Sequence, residues 1–164
     1  MSFRVFQRKL ETENMKSQRE ESIMKQALIY VRCASPNDHA IQCQQRACKA
    51  FAEEHGYNVS EIIVERGVAG RVSQRVSLDL LLKLAGQRRF DALILHSGSR
   101  ISRNAPEAFS FLDAVALCDV EIWSVKEGNY TDWRAAYVDK MRQIISDYLR
   151  ETEDAFEDEA GTDE

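Results

Sequence analysis

Four arginines have the residue type and the positions along the chain to form one anion-binding site: Arg32, Arg75, Arg100 and Arg103. Arg32 ends the apolar run Ala27 to Val31, and Arg100 and Arg103 follow the apolar run 90–95. Arg75 comes five residues after Gly70, in a loop that also contains Gly67. A guanidinium group donates parallel hydrogen bonds to phosphate or carboxylate and keeps its charge at any ordinary pH. Four of them together would hold a phosphate or a polyanionic backbone.

The elements that must position these arginines alternate between strand and helix. Period-2 and short apolar runs predict strands, whereas apolar residues at three- and four-residue spacing predict helices. The predicted strands cover residues 27–31, 57–65, 90–95 and 120–125; the predicted helices cover residues 40–55, 78–85, 105–117 and 130–156. Strands that alternate with helices indicate an α/β fold. We expect a mainly parallel sheet of four to five strands with helices on both faces, plus a long C-terminal helix.

Helix boundaries are indicated by three residues. Asn104, with Pro106 behind it, is typical of a helix N-cap, and Ser77 is predicted to cap the helix that begins at Leu78. Gly56 is predicted to end the helix before it. Because the carboxyl ends of parallel strands share one edge of the sheet, the arginines that follow the strands should meet there.

The charge of the chain is unevenly distributed. Its 164 residues carry a net charge of −5, yet eight acids and no lysine or arginine lie between Glu151 and Glu164. Without that segment, 22 basic residues face 19 acids, so residues 1–150 carry +3. We divide the chain into a charged extension (1–26), a globular domain (27–128), a long helix (129–156) and an acidic, disordered tail (157–164).

Several classes of protein are excluded by composition. No apolar run reaches the roughly 20 residues of a membrane helix, so we expect no membrane association. Cys33, Cys43, Cys48 and Cys118 show neither a CxxC pair nor a zinc spacing, which favours reduced thiols in a cytoplasmic protein. We expect no metal and no cofactor.

From about Ala27 to Glu127 the motifs resemble the catalytic domains of serine recombinases, namely resolvases, invertases and large serine integrases. The resemblance rests on Tyr30-Val-Arg32, Ala40-Ile-Gln-Cys-Gln44, Gly67-Val-Ala-Gly70 with Arg75, and Phe90-Asp-Ala-Leu-Ile-Leu95 with Ser99-Arg-Ile-Ser-Arg-Asn104. It implies a resolvase-like fold, arginines that bind a DNA phosphate, a serine that attacks that phosphate, and a dimer formed through the last helix.

The chain departs from the family at the positions of the covalent chemistry. Ala34 stands where the family has its nucleophilic serine, and Ala69 where it has a second serine. Arg66 and Ser99 stand where the family has acids. All four arginines match. The resemblance therefore implies a phosphate site without its attacking atom.

An alanine methyl group has no lone pair with which to attack. Ser35 is one alternative nucleophile, but it lies about 3.3 Å further along an extended chain, on the opposite face. We predict a serine-recombinase-like protein that is no longer an enzyme, a pseudoenzyme that binds the DNA backbone or an intact recombinase during DNA recombination, as a homodimer. No further domain follows the last helix in this sequence, so sequence-specific binding by the chain alone is not expected. The alternatives are a protein-interaction module that no longer binds DNA, and an active recombinase that uses Ser35.

Overall fold

The computed structural model describes residues 24–35, 37–67 and 75–160, with residues 153–160 described by their backbone alone. The strands are β1 (Gln26–Cys33), β2 (Asn58–Arg66), β3 (Ala92–Leu95), β4 (Glu121–Ser124) and β5 (Gly128–Asn129). The helices are α1 (Asp38–Glu54), α2 (Val76–Gly86), α3 (Ala105–Ala116) and α4 (Tyr130–Ala160), with a 3₁₀ turn at Gly98–Arg100. The predicted extension up to residue 23, the loop residues 68–74 and the end of the acidic tail (161–164) lie outside the described residues.

The five strands form one sheet in the order β2-β1-β3-β4-β5. The pairs β1–β2, β1–β3 and β3–β4 are all parallel. The predicted α/β fold with a mainly parallel sheet is therefore confirmed. β1 lies between β2 and β3, so its carboxyl end is surrounded by the ends of both neighbours.

The side chains on both faces of β1 are buried. One set packs with α1 in a core cluster that comprises Ala27, Ile29, Val31, Ile41, Cys48, Ala52, Ala92 and Ile94. The opposite set, which includes Leu28 and Tyr30, is equally buried, as are the inward residues of α2 and α3. Because successive strand residues point to opposite faces, the sheet is covered on both sides, and six consecutive residues of β1 are buried.

β1 continues two residues beyond the predicted end at Val31. Arg32 is aligned with Glu65 and Cys33 with Arg66, so the pairing with β2 continues through a charged residue of β1. The apolar pattern stops earlier than the hydrogen-bonded strand because ladder formation does not require an apolar side chain.

The predicted caps have different outcomes. Asn104 is the N-cap of α3, and its side chain accepts a hydrogen bond from the Glu107 N–H at 3.0 Å. The prediction that Ser77 caps α2 is wrong: Arg75 occupies the N-cap position without a side-chain cap bond. The Ser77 hydroxyl instead donates to the Glu65 carboxylate at 2.6 Å, since a charged acceptor forms the stronger hydrogen bond.

The chain divides into two compact units, Met1–Gly128 and Asn129–Glu164. The second unit is built on α4, a helix of 31 residues. Its later turns expose large apolar side chains at Ile144, Ile145, Tyr148 and Leu149. Within the part of the chain that the structure describes, no helix combines the length and apolar character needed to cross a bilayer.

Candidate phosphate-binding site

Arg32 and Arg100 lie together at the carboxyl end of β1. Arg32 Nε donates to the Arg100 carbonyl at 2.8 Å, and its Nη2 donates to the Ser99 carbonyl at 3.1 Å. Arg100 Nη1 in turn donates to the Arg32 carbonyl at 3.1 Å. Each guanidinium is thus fixed by the backbone of the other segment, and the 3₁₀ turn is attached to the end of the central strand.

The side chain of Arg75 contacts the segment that carries Arg100. Its side chain is almost completely buried and forms an ion pair with Glu65, with an Nη2-to-oxygen distance of 2.7 Å. The same guanidinium donates to the Ile101 carbonyl, to the Arg100 carbonyl at 3.1 Å and to the Tyr30 hydroxyl. The Arg75 guanidinium therefore donates its hydrogen bonds to groups inside the protein, and it holds the turn that carries Arg100. This geometry favours a positioning role for Arg75 over direct contact with a ligand.

Glu65 is a site residue that the sequence reasoning missed. Burial alone would raise the pKa of its carboxyl, but hydrogen bonds from Arg75, Ser77 and Tyr30 outweigh burial and hold that pKa below its usual value. Burial and the bond to Glu65 raise the pKa of Tyr30. In the sequence Glu65 looks like an ordinary acid at a strand end. Glu65 can be recognised as part of the site because it is aligned with Arg32 across β1 and β2. This alignment is known only once the register of the two strands is known.

Gln44 fixes the end of β1 from α1. It is buried, and its side-chain amide accepts from the Arg32 N–H at 3.3 Å and donates to the Arg32 carbonyl at 3.0 Å. These two bonds satisfy the buried amide of Gln44 and hold the backbone of Arg32 in place.

Ala34 and Ser35 lie in a bend just after β1, and both are exposed. The position that carries the nucleophile in the resembled family is therefore open to solvent but holds only a methyl group. Ser35 Oγ lies 3.6 Å from Cys33 Sγ, and this contact is the main reason that the pKa of the Cys33 thiol is lowered. No described hydrogen bond connects Ser35 with Arg32 or Arg100.

The remaining predicted positions are distributed as follows. Arg103 is exposed in the turn before α3, three residues beyond Arg100. Ser99 is exposed, and its hydroxyl lies 2.7 Å from that of Ser97. Ala69 falls outside the described residues.

The cluster brings together the positive charges of Arg32, Arg75 and Arg100, and among the described residues Arg75 forms an ion pair with Glu65. Burial, followed by repulsion from Arg75, lowers the pKa of Arg32. Among the described residues, Arg100 Nε is buried without a hydrogen-bond partner. An anion bound to these guanidinium groups would relieve the repulsion, and a buried donor without an acceptor is costly.

The family model described as "Resolvase, N terminal domain" matches residues 27–159. The chain therefore belongs to the resolvase N-terminal domain family, and it has the fold of the serine recombinase catalytic domains.

Three solved structures share that fold. The N-terminal catalytic domain of TP901-1 integrase has a TM-score of 0.64 and 21% identity, over 79% of this chain and 99% of that one. A resolvase family site-specific recombinase from Streptococcus pneumoniae has a TM-score of 0.60 and 17% identity, over 83% of this chain and 98% of that one. The C-terminal catalytic domain of ISC1926 TnpA, an IS607-like serine recombinase, has a TM-score of 0.56 and 24% identity, over 75% of this chain and 82% of that one. A search of curated proteins finds no significant match.

Proposed function

We propose that this protein binds the DNA backbone through the site around Ala34 without cleaving it, and acts as a partner or regulator of an intact recombinase in DNA recombination. The observation that carries the proposal is the interlocked pair Arg32 and Arg100 at the carboxyl end of β1, where Arg32 precedes Ala34 by two residues. The family resemblance implies that these arginines bind the reacting phosphate. Arg103 is exposed three residues beyond Arg100, and we propose that it adds a further contact to the backbone.

The binding half of the proposal rests on charge. Arginine forks match phosphate oxygens in geometry, and a site rigidly held by Gln44 and Glu65 loses little entropy when a phosphate binds. Contacts to phosphates position a protein on DNA without reading its sequence. The predicted ligand is therefore the DNA backbone, with no preference for a particular site.

The loss of cleavage rests on the atoms that are present. Positive charge stabilises a transition state, but a covalent step also needs an attacking atom. Ala34 offers none, and Ser35 is exposed without a described contact to the arginine pair. A displacement of about 1 Å can cost roughly a hundredfold in rate, so Ser35 is a poor replacement.

The experiment is a DNA-binding titration of the full chain and of residues 1–150, at about 50 mM salt where phosphate contacts are strong. We expect Arg100→Glu/Arg103→Glu to abolish binding. Arg88→Glu/Arg89→Glu is the matched control: it reverses the same two charges in the turn between α2 and β3, at the amino end of the strands. Unchanged affinity in the Arg100→Glu/Arg103→Glu variant, or equal losses in both, would contradict the proposal.

The same reactions are separated on a denaturing gel to test for covalent chemistry. We expect free, intact DNA in every lane. A protein–DNA adduct that disappears in Ser35→Ala would establish the active recombinase instead, and no binding at low salt by either form of the chain would favour a protein-interaction module.

A further inference from the structure

Arg66 is the last residue of β2, one strand away from the arginine pair. It is aligned with Cys33, and the Gly67 N–H donates to the Cys33 carbonyl at 2.9 Å, so β2 and β1 end side by side. Arg66 therefore lies at the same edge of the sheet as Arg32. The family resemblance implies no phosphate contact for Arg66, because the family has an acid at this position.

The side chain of Arg66 belongs to the opposite face of the sheet from that of Arg32. Cys33, its aligned neighbour, packs against the cluster formed with α1. Arg66 Nε donates to the Asp38 carboxylate at 3.1 Å, and Asp38 is the first residue of α1. Neighbouring strands are about 4.8 Å apart. A phosphate held by Arg66 would therefore be a different one from the phosphate held by Arg32 and Arg100.

The ion pair between Arg66 and Asp38 is weakly held. The side chains are 57% and 73% exposed. Ion pairs this exposed contribute little to folding, because water screens them and two long side chains must be ordered. Arg66 is thus available to exchange a carboxylate for a phosphate at small cost, and the N-terminus of the 17-residue helix α1 on that side also favours an anion.

We propose that Arg66 forms a second phosphate subsite, so that the protein binds two backbone phosphates of one DNA ligand, one at Arg32 and Arg100 and the other at Arg66, with Asp38 competing for Arg66. This inference rests on the proposed function. If two phosphates are bound, the shortest DNA that fills the site must be long enough to present phosphates on both sides of the end of β1.

The test uses two matched pairs of variants in the DNA titration. Arg88 and Asp119 form a comparable exposed ion pair at the other end of the strands, with a distance of 2.9 Å and exposures of 77% and 80%. We expect Arg66→Gln to make the slope of log K against log salt shallower by about 0.9, the value for one lost phosphate contact. Arg88→Gln should leave that slope unchanged.

Removing the carboxylate of Asp38 should change DNA affinity in the opposite direction. Asp38→Asn should strengthen DNA binding about two- to fivefold, the scale of one exposed ion pair, because it releases Arg66 and removes a repelling charge. Asp119→Asn, which changes the net charge equally, should have a smaller effect. All four positions are exposed, and thermal melting will verify folding.

The outcomes separate this inference from the proposed function. Equal effects within each matched pair, while Arg100→Glu/Arg103→Glu still abolishes binding, would overturn the second subsite alone. Wild-type protein that does not bind DNA would overturn both.

Discussion

At the residue scale, the candidate site contains a buried ion pair between Arg75 and Glu65. Glu65 neutralises Arg75, and Arg75 holds the carbonyls of Arg100 and Ile101. Removing one member of such a pair leaves an unpaired buried charge, whereas removing both can be nearly neutral. The pair therefore stabilises the turn only as a unit.

We expect Glu65→Gln to lower the free energy of unfolding by about 3 kcal/mol or more at neutral pH, because the Arg75 charge stays buried without its counter-charge. Denaturant titration measures this difference. Glu65→Leu/Arg75→Met, which removes both charges, should be less destabilised than Glu65→Gln. A single variant as stable as the wild type would contradict the structural role of the pair.

The pH dependence of that difference has a defined sign. The folded protein holds the pKa of Glu65 below its usual value. The contribution of Glu65 to stability is therefore complete above the unfolded pKa of about 4.3, and it is lost as pH falls through the lower folded pKa. The gap in unfolding free energy between wild type and Glu65→Gln should be constant from about pH 6 to 8 and should shrink below about pH 4. A gap that widens in acid would contradict this assignment.

At the element scale, α4 exposes an apolar row on one side of its later turns. Ile144, Ile145, Tyr148 and Leu149 recur at one- and four-residue spacing, and each is at least half exposed. Contiguous exposed apolar surface is typical of an interaction site. We propose that two copies of the chain associate through this row of α4.

We expect Ile144→Glu/Leu149→Glu to convert the protein to a monomer, because two charges would be buried in the contact. Sedimentation equilibrium reports the mass, with 18.8 kDa for one chain. Gln143→Glu/Ser146→Glu adds the same charges on the other side of the helix, at about 100° per residue, and should stay dimeric. A wild-type monomer, or two variants that behave alike, would contradict the proposed contact.

Elements were predictable where local chemistry decides them. Asn104 caps α3 as expected, and a buried strand follows from the apolar run 27–31. Ser77 shows the limit of such reasoning. A serine before a helix is locally a good cap, but a carboxylate twelve residues earlier in the chain competes for its hydroxyl, and that contact exists only once β2 and α2 have packed.

At the scale of the whole molecule, the topology could be predicted because strands and helices alternate without long gaps. The meeting of Arg32 and Arg100 follows from that topology, since Arg32 lies at the carboxyl end of β1 and Arg100 follows the carboxyl end of β3, the neighbouring parallel strand. The burial of Arg75 and the part played by Glu65 could not be predicted. They depend on which face each side chain takes, and a shift of one residue in register would reverse it.

The central claim is that a backbone-binding site remains where the cleaving atom is missing. The measurement that tests it most directly is the salt dependence of DNA affinity for the full-length wild type. Two to four phosphate contacts predict a loss of about 12- to 150-fold between 50 and 200 mM salt. That steep loss is the result we expect. Affinity that does not change with salt, or no measurable binding at 50 mM, would contradict the claim.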